Sequence, residues 1–239
     1  REITAYTLYM LFRPLWQRQK NWVVYEKFCK TAQDNSYYFF KYCMEHLPEK
    51  ERRHIYYIMD PREPDYKNVA GYGRQVVPFM SLKHMLLTLS MRICISSDST
   101  SHLYVWRSKP SIVRRAIKQK EELFLQHGVT AMKRVDQLFG KKGSSPMTYF
   151  VTCSRPEHDI VVREFDYYWL CSLGCAGGQV HTGRSLYPDD AHLALLAGGG
   201  GQRHLPAKRL LQKLFRFVDG PGVGRDAPAQ SYPPGVLFA

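Results

Sequence analysis

Short apolar segments alternate with helical stretches between residues 21 and 165, and this alternation limits the folds open to the chain. The apolar segments predict strands at Trp22–Tyr25 and at residues 54–59, 92–96, 123–126 and 148–153. Asp34 or Asn35 is suited to begin one intervening helix, Ser81 another, and a last helix passes through Asp159 and Val162. Such units predict an α/β fold with a Rossmann-like parallel sheet, whose loops after the strands share one ligand-facing edge.

Residues 1–20 form a separate segment, with an apolar run from Ile3 to Phe12 beside three basic residues, Arg13, Arg18 and Lys20. The run is far shorter than the roughly 20 residues that span a bilayer. A helix there could lie on a membrane surface or pack on its own domain, and Pro14 would end or kink it either way. Because the chain begins without an initiator Met, we expect it to be a fragment.

Residues 169–239 differ in composition from the lobe predicted at residues 21–168. Of the 17 glycines in the chain, 12 lie at or beyond residue 171, and prolines crowd the last twenty positions. This composition predicts an irregular C-terminal tail that is disordered or translated out of frame. The codons for residues 190–199 would distinguish these two interpretations.

The net charge of the chain and its sequence motifs limit the kinds of partner that it could bind. The formal charge of +13 favours an anionic partner, such as nucleic acid, a phosphate-rich substrate or an anionic membrane surface. No RNA- or DNA-binding motif is present, so we expect no nucleic-acid partner. The sequence also has no P-loop, no complete GxGxxG motif and no CxxC pair, and Asp98 with His102 is too sparse for a metal site. We therefore expect no cofactor and no metal.

The pair His127-Gly128 follows a predicted strand and is the most informative position. An imidazole exchanges its proton near neutral pH, so a histidine at the ligand-facing edge can act as a general base. Gly128 would let the backbone turn sharply and let a substrate approach. Lys133 and Arg134 follow, suited to phosphate oxygens, although Arg134 could instead pair only with Asp136.

A second polar loop follows the strand predicted at residues 92–96. Ser97, Asp98 and Ser99 could hold a polyol or a phosphate there, or Asp98 or Ser99 could only cap a short helix. Glu26, at the end of the first strand, could face the same edge or form a salt bridge with a neighbouring Lys or Arg.

Several blocks of this chain resemble the CDP-glycerol glycerophosphotransferase family, which polymerises teichoic acid. The blocks cover about residues 5–166 in the family's order, and the one running from Phe124 to Asp136 is the most specific. The others are residues 21–26, 34–36, 96–99, 143–145 and 149–152.

The resemblance implies the N-terminal, acceptor-side lobe of a GT-B-type transferase. It implies transfer of glycerol phosphate from CDP-glycerol to a lipid-linked poly(glycerol phosphate) acceptor, at the cytoplasmic face of the membrane, with the protein bound peripherally. The family's base falls on His127, and Gly128, Lys133, Arg134, Ser97, Asp98 and Ser99 would bind substrate.

The resemblance ends before the family's donor-binding lobe, and neither His181 nor His204 stands in a matching context. We therefore expect an incomplete or inactive copy. The alternative is a non-catalytic basic module that binds an anionic membrane or polymer.

Overall fold

The fold is organised by one sheet, seen in a computed structural model that describes residues 1–105, 111–128, 134–140, 142–145, 147–152, 155–165, 171–176 and 179–182. The strands in these ranges are β1 (Trp22–Tyr25), β2 (Ile55–Met59), β3 (Val76–Pro78), β4 (Ile93–Ser96), β5 (Glu121–Phe124), β6 (Tyr149–Thr152), β7 (Cys171–Ala176) and β8 (Gln179–Thr182). Their order is β3-β2-β1-β4-β5-β6-β7-β8. Strands β1 to β7 are parallel, and β8 is antiparallel to β7.

Two helices precede β1 in sequence, and the others lie between strands. They are α1 (Glu2–Leu11), α2 (Arg13–Gln19), α3 (Asn35–His46), α4 (Glu49–Arg52), α5 (Tyr66–Val69), α6 (Leu82–Ser90), α7 (Ile112–Ile117), α8 (Asp136–Phe139) and α9 (Arg155–Phe165). Short 3-10 turns cover Lys27–Cys29, Ala70–Gln75 and Thr100–His102. The predicted α/β class and Rossmann-like parallel sheet are thereby confirmed.

Two apolar layers enclose the sheet, one on each face. Phe40 and Met44 of α3 pack with Val24 on one face, while Leu87 of α6 and Val113 of α7 belong to the layer on the other. Because both faces are covered, all four residues of β1 are buried, as expected for a central parallel strand.

Helices α3 and α6 begin directly after residues that the sequence predicted as caps. The Asp34 side chain accepts a hydrogen bond from the backbone N–H of Asn35, and Ser81 accepts one from that of His84. Each satisfies a backbone donor that the first helical turn leaves without an intrahelical partner.

The N-terminal segment packs on its own domain through one side of α1. Ala5 is fully buried, and the Glu2 carboxylate accepts hydrogen bonds from the hydroxyls of Tyr104 and Ser111. The helix ends at Leu11, and Pro14 lies in the first turn of α2, so the break predicted at this proline is present. Within the described part of the chain, every helix is too short or too polar to span a bilayer.

The sheet continues beyond residue 168, where the sequence predicted an irregular tail. Strand β7 pairs with β6, and β8 pairs with β7, so residues 171–176 and 179–182 add to the sheet edge. Residues 183–239 lie outside the described residues.

A buried carboxyl in β5 provides a test of the fold. Burial raises the pKa of Glu122 well above its usual range, and its Oε1 has no hydrogen-bond partner among the described residues. Because the folded state holds the proton more tightly, this group's contribution to stability falls as pH rises above the ordinary carboxyl pKa. We expect Glu122→Gln to increase the free energy of unfolding at pH 7, because the amide removes the need to keep a proton on a buried carboxyl.

Urea unfolding at pH 7 and pH 4 measures this effect, which should vanish at the lower pH. The adjacent Glu121 pairs with Arg92 at 3.4 Å, so Glu121→Gln should be neutral or slightly destabilising at pH 7. Destabilisation by Glu122→Gln at both pH values would contradict the assignment.

Candidate functional site

Three loops leave the sheet at the same level and form the candidate site. Tyr25 of β1 pairs in register with Ser96 of β4, and Ser96 pairs with Phe124 of β5. The strand order reverses between β1 and β4, which is where open α/β sheets bind ligands at their carboxyl edge. The segments that begin at Glu26, Ser97 and Leu125 are therefore neighbours at this edge.

His127 lies exposed at the edge with its ring held on one side. Its Nδ1 is 2.6 Å from the backbone oxygen of Ser97, and its ring meets that of Phe124 edge-on, with centroids 6.5 Å apart. A carbonyl oxygen only accepts hydrogen bonds, so Nδ1 carries the proton. In the neutral ring Nε2 therefore has the free lone pair that a general base requires.

The Ser97–Ser99 loop meets His127, but its side chains have different surroundings. Ser97 is buried, and its hydroxyl accepts a bond from the Ser36 hydroxyl at 3.2 Å. Ser99 caps the following 3-10 turn by accepting from the backbone N–H of Ser101, as the capping alternative predicted. Its hydroxyl also lies 3.3 Å from that of Ser145, which brings the Gly143–Ser145 block to this edge.

Asp98 is the carboxylate of the site. Its Oδ1 lies 3.0 Å from Nδ1 of His102. Burial opposes ionisation, yet the close approach of His102 and the hydrogen bond from the Ser99 N–H outweigh it and lower the pKa of Asp98. A carboxylate that stays ionised can accept hydrogen bonds from substrate hydroxyls. The described residues contain no group of three or more metal-ligating side chains.

The backbone just before His127 is left-handed at Gln126 and not at Gly128. Gln126 has a φ of 63°, in the left-handed region, whereas Gly128 is not among the described residues with positive φ. The chain bends at His127 and Gly128, so the turn predicted at Gly128 is made without a positive φ there. Among the described residues, none would lie within 4 Å of a Cβ at Gly128, so that part of the structure leaves space for a substrate beside it.

Arg134, one of the two basic residues predicted to bind substrate after Gly128, has an acidic partner of its own. Arg134 is exposed and pairs with Asp136, its Nε lying 3.3 Å from Oδ1, as the alternative interpretation predicted. Lys133 lies outside the described residues.

Glu26 is buried and holds the beginning of α3. Its Oε1 accepts from the backbone N–H groups of Asp34 and Tyr37, each at 2.9 Å, and its Oε2 accepts from that of Gln33 at 3.1 Å. Burial raises its pKa, and these three bonds only partly offset that effect. Glu26 lies at the carboxyl edge, as one alternative predicted, and among the described residues it forms no salt bridge; its carboxylate is bound by backbone donors instead.

Several residues around His127 were not identified as site residues from the sequence. Asn35 and Ser36 of α3 contact the backbones of Gln126 and Ser97, and the Gln126 side chain donates to Glu157 of α9 at 3.1 Å. These partners are 31 to 91 residues apart in the chain. The only sequence signal was the presence of Asn35 and Ser36 in a block resembling the transferase family.

Comparison with known proteins finds a similarity to a teichoic acid biosynthesis protein. The chain is similar to the minor teichoic acid biosynthesis protein GgaB of Bacillus subtilis (strain 168), with 29% identity over 153 residues. This match covers 62% of the chain and 16% of GgaB, so the chain spans about a sixth of that relative's length. No family model matches the chain. The resemblance predicted from the motifs is confirmed at the level of teichoic acid biosynthesis proteins.

Proposed function

We propose that this chain forms the acceptor-side lobe of a transferase that moves glycerol phosphate, or another polyol phosphate, from CDP-glycerol to a lipid-linked poly(glycerol phosphate) acceptor. The observation that carries the proposal is the placement of His127, exposed at the carboxyl edge with Nδ1 bonded to the backbone oxygen of Ser97, so that in the neutral ring Nε2 is the nitrogen that can accept a proton. The similarity to GgaB supports the same class of process.

The proposed reaction needs one proton transfer from the acceptor. Nε2 of His127 removes the proton of an acceptor hydroxyl, whose oxygen attacks the phosphorus that carries glycerol. A new P–O bond forms, the pyrophosphate bond breaks, and CMP leaves with the electron pair of that bond. Asp98 at the same edge can accept a hydrogen bond from an acceptor hydroxyl, and open space at Gly128 permits close approach.

This proposal assigns no residue of the chain to binding of the CDP donor. By resemblance, the groups that hold the CDP moiety belong to a second lobe, and residues 169–239 contain no motif that matches it. We therefore expect weak binding of CDP-glycerol and slow turnover by the chain alone.

A membrane-surface role for residues 1–20 is also part of the proposal. Although α1 packs on α6 through one side, the four most exposed apolar side chains of α1, α2 and their junction are Ile3, Leu11, Phe12 and Leu15. Three exposed basic residues accompany them, Arg13, Arg18 and Lys20. These seven residues, the α1–α2 patch, combine apolar and cationic groups as surfaces that bind anionic lipid do. Attachment at the cytoplasmic membrane face would place the lobe beside a lipid-linked acceptor.

The acceptor site can be mapped without turnover. Adding a short glycerol phosphate oligomer to the ¹⁵N-labelled chain should shift the backbone amide signals of Ser97, Ser99 and Gly128. With CDP-glycerol and a prenol-linked acceptor, single-turnover amounts of chain should release CMP slowly, and only when the acceptor is present. If shifts occur only at the α1–α2 patch and no CMP is released, the chain is instead the non-catalytic basic module.

Membrane attachment should depend on charge in the α1–α2 patch. Co-sedimentation with vesicles rich in phosphatidylglycerol should weaken as salt is raised, because exposed charges are screened. Replacing Arg13, Arg18 and Lys20 by Gln should lower the affinity by roughly 100-fold, at about 1 kcal/mol for each basic residue.

The matched control replaces three lysines outside the patch, Lys41, Lys50 and Lys67, which lie on α3, α4 and α5. Both triple variants lose the same net charge. Equal losses would show a diffuse effect of total charge and would argue against the patch.

A further inference from the structure

Two consecutive residues at the beginning of α3 contact both backbone segments that meet at His127. We propose that Asn35 and Ser36 are positioning residues, which hold His127 in the Nδ1–H tautomer and leave Nε2 unprotonated. That this arrangement makes His127 a general base rests on the proposed function. The arrangement itself can be tested without any activity.

Asn35 fixes the peptide that precedes His127. Its Nδ2 donates to the backbone oxygen of Gln126 at 2.6 Å and lies 3.4 Å from that of Leu125. Gln126 adopts the left-handed conformation, which a residue with a side chain keeps only when its surroundings impose it. The bond from its side chain to Glu157 restrains the same residue from α9. The position of the His127 backbone is therefore held from two helices.

Ser36 fixes the segment that accepts the Nδ1 proton. It is fully buried, and its Oγ accepts a 2.7 Å hydrogen bond from the backbone N–H of Ser97. The carbonyl oxygen of Ser97 is in turn the acceptor for His127. One turn of α3 thus places both the imidazole and its acceptor.

Asn35 has no capping duty that would account for its side chain. Asp34 is the capping residue of α3, and the Asn35 side chain instead crosses to residues 90 and 91 positions later in the chain. Asn35 is also exposed, so truncating it removes no core packing. Asn35→Ala therefore separates positioning of His127 from stability of the fold.

Nitrogen NMR of the histidine rings measures the tautomer directly. In the full chain labelled with ¹⁵N-histidine, long-range ¹H–¹⁵N correlations at a pH where the rings are neutral distinguish protonated from unprotonated ring nitrogens. His127 signals are assigned by their loss in His127→Asn. We expect Nδ1–H to dominate in the wild-type chain, although imidazole free in water favours Nε2–H.

Asn35→Ala should reverse the tautomer preference of His127, and Ser36→Ala should do the same. Ser90→Ala is the matched control for Ser36→Ala, because Ser90 is also buried and its hydroxyl also bonds a backbone group, donating to the oxygen of Leu87 in α6. It should leave the His127 tautomer unchanged.

Each result decides the proposal. An Nε2–H ring in the wild-type chain would overturn it, and so would an unchanged tautomer in both Asn35→Ala and Ser36→Ala. If the tautomer reverses as expected but no CMP is ever released, the positioning role stands and the transferase function fails. If CMP is released, Asn35→Ala should slow its release without changing the affinity for the glycerol phosphate oligomer.

Discussion

His127→Asn should lower acceptor-dependent CMP release by roughly 10²- to 10⁴-fold, the range that a general base contributes. Asn is the informative substitution because its Nδ2 occupies the place of the histidine Nδ1. It can still donate to the Ser97 oxygen, which accepts at 2.6 Å in the wild-type chain. Only the nitrogen with the free lone pair is lost, so the defect should lie in the chemical step rather than in the fold.

Two measurements accompany that variant. The affinity for the glycerol phosphate oligomer and the free energy of unfolding should stay within about 0.5 kcal/mol of wild type, as for other substitutions at exposed positions. His46→Asn is the matched control, because exposed His46 also has its Nδ1 beside a backbone oxygen, that of Tyr42 at 3.1 Å. CMP release by His127→Asn at the rate of His46→Asn would remove His127 from the catalytic role.

The central strands could be predicted where apolar residues are bounded by polar ones. Strand β1 has the predicted bounds, because four apolar residues stand between Asn21 and Glu26. Strand β5 begins and ends two residues earlier than predicted. Its first two residues, Glu121 and Glu122, are of a type that sequence patterns assign to the surface. Pairing with β4 places them in the sheet. In β5 the pairing between strands, rather than the local pattern of apolar residues, determines where the strand begins and ends.

Strand β3 was not predicted, because it is short and ends in a proline. It comprises Val76, Val77 and Pro78 at an edge of the sheet, where a missing backbone donor is tolerated. A proline and the glycines at positions 71 and 73 are equally typical of a loop. Only pairing with β2 distinguishes the two structures.

The candidate site was predictable in its location and less so in its internal contacts. The rule that loops after parallel strands share one edge placed His127, Asp98 and Ser99 together, and the structure has them there. The inward position of Ser97 and the roles of Asn35 and Ser36 depend on contacts between residues 61 or more positions apart. No spacing in a single sequence encodes such pairs.

Glu26 shows why some structural roles cannot be predicted from the sequence. Its partners are backbone N–H groups, which every residue except proline possesses, so nothing in the residue types of the 33–37 segment identifies them. The carboxylate joins the end of β1 to the first turn of α3. Since α3 carries Asn35 and Ser36, the position of His127 depends on this link.

Glu26→Ala should therefore be among the most destabilising substitutions in the lobe. It removes the acceptor of three backbone N–H groups, at about 1–3 kcal/mol for each one left unsatisfied. Gln33 is exposed and water can replace its partner, so we expect a total loss of about 3 kcal/mol in urea unfolding at pH 7. Because the pKa of Glu26 is raised in the folded state, its contribution declines as pH rises above the ordinary carboxyl pKa. The loss should accordingly be larger at pH 4 than at pH 7.

Glu63→Ala tests whether a carboxylate nearer the surface has a similar effect. Glu63 pairs with Lys30 at 2.9 Å, and both side chains are solvent-accessible, so its removal should cost no more than about 1 kcal/mol. A cost for Glu26→Ala no larger than this would show that α3 does not depend on the carboxylate. A larger cost, with the His127 ring shifted toward the Nε2–H tautomer in the molecules that stay folded, would link the stability of the β1–α3 connection to the state of the base.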